Sequence, residues 1–201
     1  YELLAPCEPS VFYCVGRNFG EKVEQMDYEV PDEPDFFIKP PVSLHDPETP
    51  IPYPSFSSEF TYAGELAAVI DTECKNVSED EVDDVVRGYT ILNDLDCLDQ
   101  ERRTARKAFD SSGPLGPVIA DVEPVGLEMT THINGELRQE DNTENMFNKP
   151  RETISFLSER FTFKPGDVIS FGSPANPGLL ESGDEIEIHY EKIGTLRNTV
   201  E

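Results

Sequence analysis

Apolar residues recur along the chain in runs of strand length, at residues 11–16, 35–39, 65–70, 88–95, 115–120, 126–133, 167–171 and 185–193. Runs this short, bounded by Gly, Pro, Asn and Asp, predict β-strands rather than helices. EIEIHYEKI opens with strict alternation, the period-2 signature of a half-buried strand. Asn134-Gly135, between THI and ELRQ, predicts a hairpin closed by a type I′ turn. Helical patterns are fewer. SEDEVDDVVRG opens with Ser78 and Glu81 at capping-box spacing and is expected to close at Gly88, after Arg87. A second helix is expected from Pro150 to Glu159, with Ile154, Phe156 and Leu157 on its apolar side, and a short third over residues 20–26. The Pro-rich PPVSLHDPETPIPYP reads as a surface loop. Strands with a few peripheral helices predict a β-rich α+β fold.

No repeat or Gly/Ser linker divides the 201 residues, so residues 11–201 read as a single domain behind an N-terminal extension at 1–10. Acidic residues number 41 against 16 basic, a formal net charge of −25. That balance argues against a nucleic-acid binder, which needs clustered Lys and Arg, and against docking on an anionic membrane. No apolar run approaches the roughly 18 residues of a spanning helix, and YELLAPCEPS lacks the features of a signal peptide, so a cytoplasmic protein is expected. Twelve Phe and seven Tyr are enough aromatic mass for a real core, which makes the acidity a solvated skin. Such a skin is expected of a halophile's protein, where molar salt screens the repulsion. Cys7, Cys14, Cys74 and Cys97 form no C-x-x-C pair and read as buried thiols. His45, His132 and His189 are scattered and fit no catalytic motif, so structural or surface roles are expected.

Nine segments carry a resemblance. CVGRNF (14–19), FFIKP (36–40), YAGELAAVI (62–70), RGYTILND (87–94), RKAFD (106–110), LGP (115–117), NGELRQ (134–139), KPGDVISFGSP (164–174) and SGDEIEI (182–188), read in order, resemble the fumarylacetoacetate hydrolase family in its short, single-domain form. The resemblance implies a mixed β-sandwich roll, a homodimer, and Mg²⁺ or Mn²⁺ held by carboxylates. It also implies a hydrolase, isomerase or decarboxylase of a small 2-oxo or β-dicarbonyl acid, in which the ion chelates the two oxygens and stabilises an enolate. In hydrolytic members a His–Glu pair activates water.

Carried over residue by residue, the resemblance assigns Glu65 and Asp94 to metal positions and Lys107 to the substrate side. The family's Glu-x-Glu pair reads Ala63-Gly64-Glu65 here, so the third ligand position is Ala63. Glu59 does not replace it, lying about 13 Å upstream along a strand. Lys22 and Gln25 occupy the positions of the His–Glu pair and do not form a functional dyad; Glu21 and Glu24 flank Lys22. The family's Ser-Ala-Arg-Asp reads Asp96-Cys97-Leu98-Asp99, which puts Leu98 in place of a substrate-side Arg. Its Thr-Gly-Thr-Pro turn reads Phe171-Gly172-Ser173-Pro174, which turns a hydroxyl expected to face the substrate into a phenyl ring. Two readings follow: a metal-assisted enzyme of a small oxo acid, or a degenerate paralogue that binds a metabolite or partner without metal. The charges favour the metal-free reading, with Lys22 or Lys107 facing Glu65 and Asp94 in place of the ion.

Overall fold

The computed structural model of the chain describes residues 3–25 and 33–201, without the side chains of Lys22 and Val23. In chain order its strands are β1 (Phe12–Gly16), β2 (Asp35–Lys39), β3 (Leu44–His45), β4 (Pro50–Ile51), β5 (Phe60–Thr61), β6 (Gly64–Ile70), β7 (Val86–Asn93), β8 (Asp96–Cys97), β9 (Gly113–Ala120), β10 (Glu128–Ile133), β11 (Glu136–Asn142), β12 (Val168–Ser170), β13 (Glu185–Tyr190) and β14 (Gly194–Val200). The helices are α1 (Gly20–Gln25), α2 (Val82–Val85), α3 (Arg103–Lys107) and α4 (Pro150–Arg160). The expected β-rich α+β class is what forms.

A seven-stranded mixed sheet runs in the order β2-β1-β12-β6-β7-β9-β3, and a five-stranded sheet in the order β11-β10-β13-β14-β4. Alternation along β6 decides which residues meet which layer. Leu66, Ala68 and Ile70 join the large core shared with Ile186, Ile188, Tyr190 and Leu196 of the second sheet. Ala67 and Val69, on the opposite face, join a smaller cluster with Phe12, Cys14, Leu92, Leu115 and Val168. Gly64 lets the two sheets approach closely: a Cβ there would lie 2.8 Å from Ile188 and from Thr131. Among the described residues, no helix is long and apolar enough to cross a membrane.

Local chemistry explains most boundaries. Asn134 and Gly135 both take positive φ (52° and 77°), so the β10–β11 hairpin turns as its sequence dictates. Pro150 opens α4, and the Glu152 carboxylate accepts the Lys149 N–H at 3.3 Å. The Glu81 carboxylate likewise accepts from the N–H and hydroxyl of Ser78, capping the turn before α2. That helix stops earlier than its sequence suggests. After Val85 the chain passes straight into β7, where Val86 pairs with Ile70, and β-branched pairing outweighs the helical pattern. Gly88 is therefore no helix cap; it sits in β7 where a side chain would meet the Ala120 carbonyl at 2.7 Å. The Pro-rich stretch is not merely loop, because it supplies β3 and β4 to the sheet edges and buries Ile51. All four cysteines are free thiols, two of them, Cys14 and Cys97, fully buried.

Candidate functional site

A cleft of about 300 Å³ opens at the end of β6 and β7 on the face of the smaller core cluster. Strand period places its floor. Ala63 and Glu65 project to the same face as Ala67; Asp94 follows Leu92, and Phe37 follows suit on β2, with Lys39 wholly buried beneath the cleft. The Asp94 N–H donates to the Ala63 carbonyl at 2.9 Å, which ties the end of β7 to the start of β6, and Glu65 and Asp94 line the same cleft. β8 pairs with β5, Thr61 opposite Asp96, and carries Asp96 to the cleft wall. α3 packs on β2 and β8 and contributes Arg103, Arg106 and Lys107. The loop after β12 adds Gly172 and Ser173, held by the Asn18 amide, which donates to the Phe171 carbonyl at 2.9 Å. A Cβ at Gly172 would lie 3.1 Å from Asn18, and its φ of 84° also favours glycine.

Five side chains alternate in sign from the cleft mouth into the core: Arg106, Asp96, Lys107, Asp94, Lys39. Arg106 grips Asp96 through two hydrogen bonds of 2.8 and 2.6 Å. The Lys107 ammonium lies 3.2 Å from Asp96 and hydrogen-bonds Asp94. Lys39 Nζ lies 2.8 Å from the other Asp94 oxygen and donates to the carbonyls of Leu95, Lys107 and Ser112 at 3.1, 2.6 and 2.9 Å. Lys39 is wholly buried and Asp94 nearly so, a position tolerable only because both are paired and hydrogen-bonded. Burial opposes the charge of Asp94, yet Lys107 and Lys39 outweigh it and hold its pKa below the ordinary carboxylate value. Burial likewise opposes the charge of Lys107, and Asp94 and Asp96 overcome it to hold the ammonium above its ordinary range. Outside this ladder, Arg103 binds Asp35 at 2.7 and 2.6 Å and Arg17 lies 3.7 Å from the same carboxylate. The Glu65 carboxylate accepts the Gly172 N–H at 3.2 Å.

The comparisons with known proteins agree with this architecture. A sequence model of the family described as "Fumarylacetoacetate (FAA) hydrolase C-terminal" matches residues 11–201. The chain belongs to the fumarylacetoacetate hydrolase family. Oxaloacetate tautomerase YcgM of Escherichia coli is 33% identical over 190 residues, covering 89% of this chain and 87% of its own length. The 2-hydroxyhepta-2,4-diene-1,7-dioate isomerase of Mycobacterium marinum superposes with a TM-score of 0.91 at 38% identity, over 98% of this chain and 76% of that one. Fumarylpyruvate hydrolase of Pseudomonas aeruginosa, solved with Mn²⁺ and pyruvate, gives 0.90 at 27% identity, over 96% and 89%.

The fold brings Glu65, Asp94, Lys107 and Ala63, the positions assigned by the family resemblance, to the lining of one cleft. Gln25 is engaged elsewhere: its amide donates to Asn176 Oδ1 at 2.9 Å and its carbonyl accepts the Asn176 N–H at 2.8 Å, pinning α1 to the loop after β12. The side chain of Lys22 lies outside the described residues. Phe171 does not face the cleft. It is fully buried in the large core beside Tyr89, and Gly172 and Ser173 are the turn residues that line the cleft. Sequence reasoning missed Lys39 as a site residue, although FFIKP ends an apolar strand on a charge that had to be paired if buried. It also noted Asp96 only as a departure, and passed over Arg103 and Arg106. No histidine lines the cleft; His45 and His189 sit 2.9 and 3.0 Å from Thr49 and Thr195 hydroxyls.

A divalent ion of the family's kind needs several oxygen donors around one point. The residues present do not fit it. Ala63 offers no donor, and each oxygen of Asp94 already faces an ammonium. Glu65 is left as the remaining carboxylate at those positions, and no grouping of three or more His, Cys, Asp or Glu suited to an ion occurs among the described residues.

Proposed function

We propose that this chain retains the family's cleft for a small 2-oxo acid and holds that acid with its own cations in place of a divalent ion. The observation that carries the reading is the arrangement of Lys39 and Lys107 on the two oxygens of Asp94. An ion entering there would have to displace an ammonium from a nearly dry carboxylate, at a cost of several kcal/mol. In a molecule whose net charge is −25, Arg17, Arg103, Arg106 and Lys107 line this cleft and balance the carboxylates of Glu65, Asp94, Asp96 and Glu101 there. Lys107 would meet the 2-oxo oxygen, and Arg17, which lies 3.7 Å from Asp35, the carboxylate.

The same geometry disfavours water activation. A protonated Lys107 is a poor base, and Gln25 is both neutral and bound to Asn176. The function is therefore metal-free binding of a small oxo acid within the family fold. A second reading, keto–enol exchange, is favoured by the 33% identity with an oxaloacetate tautomerase. That chemistry moves one proton and breaks no carbon–carbon bond, and a fixed ammonium suits an enolate oxygen. Calorimetric titration of pyruvate in concentrated KCl with EDTA tests the main reading. One-to-one binding, weakened at least tenfold by Lys107→Met, is expected; absence of saturable binding contradicts it. Faster loss of the enol absorbance of a monocarboxylic 2-oxo acid in the same chelated buffer would select the second reading.

A further inference from the structure

On the oxo-acid reading above, the charges already paired in the cleft decide which acid it accepts. The forked guanidinium of Arg106, with an ammonium alongside, is the arrangement by which proteins grip a carboxylate. Here that grip is already filled by the chain itself. Asp96 takes two bonds of 2.8 and 2.6 Å from Arg106, and the Lys107 ammonium lies 3.2 Å away. Asp96 lines the cleft with its side chain only 9% exposed. It is carried on β8, and its ladder position opposite Thr61 keeps the carboxylate in place. A tethered carboxylate competes at an effective concentration that a free metabolite does not reach. Leu98, on the same wall, adds an apolar surface where a charged tail would go.

We propose that Asp96 stands in the place of a ligand's second carboxylate, so that the cleft selects 2-oxo acids with one carboxylate and a short neutral tail. A dicarboxylate would bring a further negative charge beside Asp96, Asp94 and Glu65, with the Arg106 fork already engaged. Asp96 is thus a specificity-determining residue of this chain.

The test is calorimetric titration of the full chain with pyruvate and with 2-oxoglutarate, in concentrated KCl and EDTA. The wild type should bind pyruvate at least tenfold tighter than 2-oxoglutarate. Asp96→Ser, which opens the fork, should reduce that preference at least tenfold, and Asp96→Asn, nearly unchanged in size, should shift it in the same direction. Adding Arg106→Gln to Asp96→Ser should abolish the gain in 2-oxoglutarate binding. Equal binding of the two acids by the wild type, or an unchanged ratio in both Asp96 variants, overturns this inference alone. Failure of the wild type to bind either acid overturns the oxo-acid reading and this inference with it.

Discussion

Replacing Lys39 with Met tests the buried ladder where it is most exposed to failure. The substitution keeps an unbranched chain of similar length and removes only the charge and its donors. Two costs follow from the geometry. Asp94 loses one of its two ammoniums while remaining almost fully buried, and breaking a buried pair costs about 3–5 kcal/mol. Lys107 stays on the other Asp94 oxygen and places the loss toward the lower end of that range. The Leu95 carbonyl loses its 3.1 Å donor, worth about 1–3 kcal/mol if left unmet, whereas the Ser112 and Lys107 carbonyls keep the Leu95 N–H and the Ser112 hydroxyl. A total of about 4–6 kcal/mol corresponds to a Tm about 8–24 °C lower in a protein of this size. Thermal unfolding followed by circular dichroism, in one concentrated KCl buffer, measures it. The double variant Lys39→Met with Asp94→Asn should lose clearly less than the two single losses added, because it strands no charge. A Lys39→Met shift below about 3 °C, or strict additivity, would refute the reasoning.

Three further outcomes are expected. The depressed pKa of Asp94 contributes stability that is present above its unfolded value of about 3.9 and is lost as pH falls through the folded pKa. The raised pKa of Lys107 contributes stability present below about 10.4 and lost only above it. The Tm gap between wild type and Asp94→Asn should therefore be flat from about pH 5 to 9 and shrink below pH 4, and a gap that widens on acidification speaks against the assignment. Gly64→Ala pushes a methyl to 2.8 Å from Ile188 and Thr131 and should cost about 1–3 kcal/mol by overpacking, read as a lower Tm; a neutral result would mean the sheets are not held at this distance. With a net charge of −25, the Tm should climb steeply with KCl concentration, and an unchanged midpoint from dilute buffer to molar salt would remove the case for a salt-adapted surface.

Much of the fold is legible in the chain because its determinants are local. The Asn134-Gly135 turn, the Pro150 helix start and the alternation of EIEIHY each need only a few neighbouring residues, and each forms as written. The failures share one cause, which is contacts made far away in sequence. Gly88 looks like a helix cap until β9 arrives against it from residue 120. Lys39 looks like the exposed end of a strand until Asp94 and the carbonyls of residues 95, 107 and 112 close around it. Phe171 looks like a cleft residue until strand alternation turns it into the core. Glu65, Asp94 and Lys107, which the family resemblance assigns to one site, all line the cleft. Of the charge ladder, the sequence suggests Lys107 opposite Asp94 but not Lys39 or the Arg106–Asp96 pair, because a formal charge in a sequence does not reveal which opposite charge will neutralise it.

The central claim, that protein ammoniums do the work of a divalent ion, is tested most directly by titrating the wild-type chain with Mn²⁺ in concentrated KCl. Calorimetry should show no saturable binding up to millimolar metal, because Asp94 is held by Lys39 and Lys107 and Ala63 supplies no donor. A one-to-one event of micromolar affinity, abolished by Glu65→Ala, would contradict the account.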